Sequence, residues 1–383
     1  MRSVAQCLRV NENSYCSFIA DQICNLGRYE SVIFTYNDGY QPGYGSIPIY
    51  APYWSKNSWP TRTFNRFTRK VFHSPWRFTR AIRRHNVCLF HAHFATHAID
   101  FIPQVKKFDL PLVVSTYGYD VSSAPRTWEY YRQHLPDLVD AATLFLAMSE
   151  DMRRDLISLG CPANKILVHH TGANVDRFAY KMPRSSDSRL RILTICTYEE
   201  RRGFFYLIQA FAKVLQSFPQ AELRIVGRPK EQNVVTRELD ALIRELNLDD
   251  HVTQVGRVEY SRLSEEYHNA DIFTLPSVTG TLDGDKEGIP TVLLEAQATG
   301  LPVVSTRHAG IPEAVLEGQS GYLTNERDID ALAEKLCVLL GDRHLRERMG
   351  MAGREHIEKE FNIVTQVQKL ERIYDRLVEG QWK

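Results

Sequence analysis

The sequence predicts an α/β protein built of two parallel-sheet domains that face each other across a cleft. Three observations carry this. The chain has 383 residues, too many for one comfortable core and suited to two. Apolar runs alternate with helical patterns of about ten residues, which is the signature of βαβ units. A polar, serine-rich stretch, "YKMPRSSDSR" (180–189), divides the chain into halves of similar size. Parallel sheets bind ligands at the carboxyl ends of their strands, so two such sheets facing each other imply a deep substrate cleft.

In the first half, strands are predicted over 31–36, 87–94, 111–118, 142–149 and 165–172. Helices fit 16–26, 74–84, 97–108 and 150–159. The second half is cleaner. "LRILTIC" (190–196) is a buried strand, and "FFYLIQAFAKVLQSF" (204–218) has apolar residues at helical spacing. "AELRIVG" (221–227) is a strand, followed by a polar helix from Asn233 to Leu246. "HVTQVG" (251–256) is a strand, 260–270 a short helix, and "DIFTLPS" (271–277) a strand. "PTVLLEAQATG" (290–300) is a helix with Pro at its start and Gly at its end, where those residues belong. Strands follow at 301–306 and 321–324, and 364–380 is an amphipathic helix with no strand after it. The domains are expected at 1–180 and 190–362, with 363–383 as a C-terminal helix.

Composition narrows the class. Hydrophobic residues make up 43% and charged residues 24%, as in an ordinary soluble globular protein. The formal net charge of +1 names no partner. The seven cysteines form no CxxC pair, which fits a reduced, cytoplasmic chain and neither a disulfide framework nor a zinc site. No signal-peptide pattern and no run of 18 apolar residues is present.

The chemistry concentrates in "DGDKEGIPTVLLE" (283–295). Asp283 and Asp285 invite a metal-binding DxD reading. Glu287 and Glu295 invite another. With Pro290 in the first helical turn, the N–H groups around Gly288 and Ile289 point out of a helix N-terminus, a ready anion site. Glu287 precedes that end and Glu295 lies about a turn and a half within it. Ionised carboxylates only accept hydrogen bonds, and two oxygens suit vicinal hydroxyls. Hydroxyls at both ends with a diphosphate between describe a sugar nucleotide. Alternatively, Glu295 lies on a solvated helix face.

The stretch 283–313 resembles the donor-binding core of family 4 glycosyltransferases of the GT-B fold. So do "RRGFFYLIQAF" (201–211), "LRIVG" (223–227), "VGRV" (255–258), "ADIFTLPS" (270–277), "PLVVSTYGYDVS" (111–122) and residues 149–178. The resemblance spans nearly the whole chain and is weakest over 1–85. It implies two facing Rossmann-like domains, with the last helix crossing back to the N-terminal one. It implies that Glu287 meets the transferred sugar and Glu295 the ribose. Gly288 and Ile289 offer N–H groups to the diphosphate or sugar, and Gly227, Arg257 and Val258 join the donor pocket. The family's phosphate-binding Lys is replaced by Arg202, whose guanidinium can grip phosphate bidentately. A customary Arg is replaced by Thr197, with Arg201 as the possible substitute. A customary His is replaced by Tyr117, which can donate a hydrogen bond but does not titrate near neutrality. Asp120 in the same loop is a turn cap or a functional group. His93, at the end of the strand that also holds His91, and His97, one turn later, fall on the acceptor side in similar segments of the family, where Asn11, Glu12 and Asn13 stand in place of the family's Gly-Gly loop.

Residues 61–85 carry eight basic side chains and no acid, interleaved with aromatics. That pattern suits an anionic membrane surface, or a helix with its aromatics in the core; no recognised nucleic-acid module accompanies it.

The resulting expectation is a retaining, metal-independent glycosyltransferase without a cofactor. It uses a nucleotide sugar, UDP- or GDP-linked, and a saccharide or lipid-linked acceptor, at the inner membrane face or in the cytoplasm. Arg202, the Gly288 and Ile289 amides and Tyr117 would stabilise the departing diphosphate, and Glu287 would position the sugar. The alternatives are a sugar-nucleotide epimerase of similar fold and a catalytically weak sugar-nucleotide-binding subunit.

Overall fold

The computed structural model describes residues 2–8, 17–36, 44–51, 76–181, 190–227 and 234–382. Glu12, its neighbours Asn11 and Asn13, most of the basic stretch 61–85 and most of the 180–189 linker lie outside them.

The chain forms two compact units. The first comprises residues 1–171 and 363–383. Its seven strands are β1 (Arg2–Cys7), β2 (Tyr29–Phe34), β3 (Ile49–Tyr50), β4 (Val87–His93), β5 (Leu112–Ser115), β6 (Leu144–Ala147) and β7 (Ile166–Val168). All pair in parallel, in the order β3-β2-β1-β4-β5-β6-β7. The second unit, 172–362, holds β8 (Arg191–Ile195), β9 (Glu222–Val226), β10 (Val252–Gly256), β11 (Ile272–Leu275), β12 (Val303–Thr306) and β13 (Gly321–Thr324). These too are parallel, in the order β10-β9-β8-β11-β12-β13. In each unit the winding reverses between the first strand and the fourth, at β1/β4 and at β8/β11. That switch point is where an open α/β sheet leaves a crevice for ligands.

The strands are apolar on both faces because helices cover both sides. Helix Phe204–Ser217 turns Phe204, Leu207, Ile208, Phe211 and Val214 inward, at the spacing of one helical face. They pack with Leu332, Leu336, Leu339 and Leu340 of helix Ile329–Gly341. Phe211 is fully buried there, so truncating it to Ala would cost about 3–5 kcal/mol.

Helix Ile363–Val378 belongs to the first unit. Leu370, Ile373, Tyr374 and Leu377 bury against Val4, Leu89, Val113 and Leu144 of the sheet. Two acids fix its register. Glu371 accepts the N–H groups of Gly27 (2.8 Å) and Arg28 (2.6 Å), and Asp375 pairs with Arg28 (2.6 Å) and the Tyr29 hydroxyl (2.8 Å).

The chain enters the second unit at Gly172, earlier than the expected boundary at 180. Ala173 bridges to Asn362, and Arg354 Nη1 takes the carbonyls of Val175 (3.1 Å), Phe178 (3.0 Å) and Ala298 (2.7 Å). Those bonds build residues 173–178 into that core. Among the elements not read from the sequence are β1, β3 and the helices Glu129–Ala141, Ile329–Gly341 and Arg343–Glu360. Helix Glu129–Ala141 carries Pro136 in its interior, which masks its periodicity. None of the described helices is long and apolar enough to cross a membrane.

Candidate active site

At the switch point of the second unit, β8 ends at Ile195 and leads into a tight 3-10 turn, Glu200–Arg202. Gly203 closes the turn with φ 71°, and a Cβ there would lie 1.9 Å from the Pro276 carbonyl oxygen. Only glycine allows the turn to press against the end of β11. The two loops are stitched further. Val278 N–H donates to the Arg201 carbonyl (2.8 Å), and the Thr281 N–H and hydroxyl donate to Glu200 Oε1 (3.0 and 2.7 Å). Arg201 and Arg202 are thereby held against the loop that carries Asp285 and Glu287.

Three carboxylates surround these two guanidiniums. Arg202 Nη1 lies 2.5 Å from Glu287 Oε1, and Arg201 Nε lies 3.4 Å from the same oxygen. Arg201 also pairs with Glu199 Oε2 (2.6 Å) and with Asp285. Glu199 Oε2 is 3.9 Å from Arg202 Nε. The cluster carries one net negative charge. Glu287 Oε1 and both Nε atoms are buried and lack aligned hydrogen bonds, so the contacts at Oε1 act as charge pairs. Burial raises the Asp285 carboxyl, against the pull of Arg201. Burial opposes charge on Arg201 too, but Glu287, Glu199 and Asp285 raise its pKa.

Asp283 Oδ1 accepts the Asp285 N–H (3.0 Å), and Gly284 takes φ 68°. The DxD segment is therefore a closed turn that delivers Asp285 to Arg201. Among the described residues no group of three His, Cys, Asp or Glu is placed to hold a metal ion.

The helix after this loop runs Thr291–Ala298, with Pro290 as its N-cap and not within its first turn. The N–H groups of Gly288 and Ile289 have no acceptor among the described residues, although Ile289 is only 3% exposed. A buried, unpaired N–H at a helix N-terminus suits an anion. Glu295 is 3% exposed, so it does not lie on a solvated face. Its oxygens accept from Tyr267 (2.8 Å) and Tyr260 (3.4 Å). Gly227 ends β9 with φ 158°, and a Cβ there would meet the Cys196 carbonyl oxygen at 1.8 Å. Arg257 is exposed and Val258 half-buried in the loop after β10, and Thr197 is exposed after β8.

At the β1/β4 switch point of the first unit, buried polar side chains bond one another. His93, at the end of β4, meets the Tyr117 hydroxyl through Nδ1 (2.8 Å) and Gln6 Oε1, from β1, through Nε2 (3.0 Å). Since the amide oxygen only accepts, Nε2 carries the proton and Nδ1 takes the tyrosine's. The Tyr117 ring stacks on His93 at 9°. His91 neighbours His93 at 4.4 Å and binds the hydroxyls of Ser115 (2.7 Å) and Tyr374 (2.5 Å). Burial, with the His97 charge, pushes His93 down to about 3. His97 is half-buried beside Phe94 (5.1 Å). Asp120 is a cap: it accepts the N–H groups of Ala95 (2.8 Å), Tyr117 (2.9 Å) and Gly118 (3.2 Å).

The Glycosyltransferase Family 4 model matches residues 20–177, and the Glycosyl transferases group 1 model matches residues 180–356. AmsK of Erwinia amylovora, an amylovoran biosynthesis glycosyltransferase, is 32% identical over 292 residues, covering 76% of this chain and 70% of that protein. The chain belongs to the family 4 glycosyltransferases. WcaL of Salmonella typhimurium, a putative colanic acid biosynthesis glycosyltransferase, is 34% identical over 248 residues. That alignment covers 64% of this chain and 59% of the relative, so the chain spans about three fifths of the length of that protein. The crystal structure of Anabaena Alr3699/HepE in complex with UDP and glucose superposes with a TM-score of 0.78 at 18% identity, covering 98% of this chain and 99% of that one. That likeness concerns the architecture, the GT-B fold.

In this family 4 glycosyltransferase the structure gathers Arg201, Arg202 and Glu287 into one cluster. It places Glu295 in a separate tyrosine-lined setting on the helix that follows the Glu287 loop, and His93 with Tyr117 in the other unit. Sequence reading missed Glu199 as a member of the cluster. Its only sequence signal is the adjacent "EERR", which also describes a solvated helix start.

Proposed function

We propose that this glycosyltransferase transfers a sugar, with retention of anomeric configuration, from a nucleoside-diphosphate sugar to an acceptor hydroxyl. The observation that carries this reading is the Arg202–Glu287 pair, 2.5 Å apart, followed in the chain by the Gly288 and Ile289 N–H groups, which have no acceptor among the described residues. Cations and helix N–H groups meet a diphosphate, and a carboxylate meets sugar hydroxyls.

In this reading the bond between the anomeric carbon and the diphosphate oxygen breaks while the acceptor oxygen bonds to that carbon. Charge grows on the leaving diphosphate. Arg202 and the Gly288 and Ile289 amides stabilise it, without a resident metal or cofactor. The acceptor proton passes to the leaving phosphate oxygen, so no separate base is required. Glu287 holds the sugar in register, and Glu295 exchanges its tyrosine contacts for the ribose hydroxyls. His93 and His97 line the acceptor side, and Tyr117, read as a diphosphate contact, hydrogen-bonds to His93.

The names of the relatives support a place in bacterial polysaccharide biosynthesis, with a saccharide or lipid-linked acceptor. Helix Trp76–Arg84 supports work at an anionic membrane surface. Phe78, Ala81 and Ile82 bury inward, while Trp76, Arg80, Arg83 and Arg84 form an exposed basic face.

A thermal-shift screen of UDP-, GDP- and ADP-sugars tests the donor. A ligand at 100 times its dissociation constant adds about 2.7 kcal/mol of stability. Transfer with the stabilising donor should then vanish in Glu287→Ala. Turnover that persists in that variant overturns the assignment. Failure to co-sediment with anionic vesicles at low salt overturns the membrane contact.

A further inference from the structure

Three loops meet behind Glu287, and one buried histidine joins them. His308, after β12, is 1% exposed. Its Nε2 lies 3.1 Å from the backbone nitrogen of Glu287. An amide N–H only donates, so Nε2 is the acceptor and the ring proton sits on Nδ1. Nδ1 lies 2.6 Å from Glu326 Oε1, after β13. Glu326 is itself fixed: Thr279, in the loop before Glu287, donates its N–H (2.9 Å) and hydroxyl (3.2 Å) to the two carboxylate oxygens. Arg327 Nη1 adds a contact at 3.1 Å. A second tie runs parallel, from Gly310 N–H to the Gly288 carbonyl (3.2 Å).

We propose that His308 is a positioning residue: braced by Glu326, it holds the Glu287 backbone so that the carboxylate faces the transferred sugar. The proposal rests on the reading of Glu287 as the sugar-binding carboxylate. The geometry gives the physical reason. Glu287 leads directly into Gly288, which has no side chain to restrict its backbone, so the aim of the carboxylate depends on what pins its own N–H. That N–H cannot pair within the helix, which begins only at Thr291. Burial of Glu326 raises its carboxyl, but the bonds from His308 and Thr279 outweigh it and hold the group down at about 2. The brace is thus a fixed carboxylate that keeps the ring in one tautomer.

Two variants test this. His308→Leu removes the acceptor, and His308→Gln keeps a side-chain oxygen in its place. In the first arm, amide exchange over 283–293 is followed without substrate. Exchange at Glu287 should accelerate at least tenfold in His308→Leu and stay near wild type in His308→Gln. In the second arm, release of UDP from UDP-glucose, or of GDP from GDP-mannose, is measured in a double-mutant cycle with Glu287→Gln. Turnover should fall roughly 10- to 100-fold in His308→Leu, as for a misplaced catalytic group, and recover in part in His308→Gln. On a Glu287→Gln background, His308→Leu should add little.

Unchanged exchange at Glu287 in His308→Leu overturns the proposal. So does full additivity in the cycle, because a residue that merely supports the core lowers both backgrounds equally. Undiminished turnover in Glu287→Gln alone overturns the underlying reading of Glu287, while the exchange arm still judges His308. If His308→Leu does not fold, Glu326→Ala enters both arms in its place, with the same expectations.

Discussion

Glu287 Oε1 lies 2.5 Å from Arg202 Nη1, with both side chains largely buried. A buried ion pair contributes little net stability, because desolvation offsets the attraction. Its presence at the switch point of a sheet therefore points to a binding task. Replacing Arg202 by Met should lower kcat about 100-fold, as the loss of one charge-stabilising donor does elsewhere. Lys at this position should restore part of that loss, since it keeps the charge but loses the fork. Steady-state kinetics with the donor from the thermal-shift screen checks both, and a Met variant as fast as wild type would remove Arg202 from the mechanism.

Arg201 is shared among Glu199, Asp285 and Glu287, which leaves the cluster with one excess negative charge. An anionic diphosphate must enter against that excess. Asp285→Asn should therefore bind UDP more tightly, by roughly 3- to 10-fold, a modest change for charges at a partly screened site. Calorimetric titration of UDP at two salt concentrations measures it. The gain should shrink at the higher salt, and weaker binding than wild type would show that Asp285 chiefly orders the loop.

Gly203 sits at φ 71°, with the Pro276 carbonyl oxygen where a Cβ would go, at 1.9 Å. Gly203→Ala combines a left-handed strain with a backbone clash. It should destabilise the second unit by more than about 3 kcal/mol, in the range reserved for backbone conflicts of this kind. Chemical denaturation checks the value. A loss below 1 kcal/mol would mean that the β8 and β11 loops separate easily.

The first unit should show an early acid limb. His93 is lowered to about 3 by burial, from an ordinary value of 6.5, and His169 behaves likewise. A base with a depressed folded-state value binds fewer protons folded than unfolded. Its contribution is present above 6.5 and is lost as pH falls from there toward 3. Asp120, raised to about 6 by burial, acts in the opposite sense between its ordinary 3.8 and 6. With His91 lowered by burial as well, the buried histidines outweigh it, so melting temperature should begin to fall just below pH 6.5. In His93→Gln the decline should be shallower. A melting temperature flat from pH 7 to 5 would contradict the buried neutral histidine.

Much of the fold was legible because its signals are local. The strand "GYLT" falls where it was read, Gly321–Thr324, and helix Phe204–Ser217 shows its apolar face in the sequence. The helix with Pro136 inside was missed because proline argues against a helix on local grounds, and tertiary packing overrode it. Within the site, Glu287 and Arg202 stood out from their motifs. Glu199, His308 and Glu326 did not, since each matters through a neighbour from another strand.

By itself the sequence determined the class of fold, the alternation of strand and helix, and the loop residues at the strand ends. These follow from periodicity and turn chemistry, which act over a few residues. Only the tertiary structure decided strand order, and with it which loops meet. Placing β8 beside β11 brings Arg201 and Arg202 to Asp285 and Glu287, more than 80 residues away. It also brought the Asp283 carboxylate onto the Asp285 N–H and the Asp120 carboxylate onto the Tyr117 N–H. Such pairings depend on closing long loops around a shared core, a cost and gain that no short window of sequence contains.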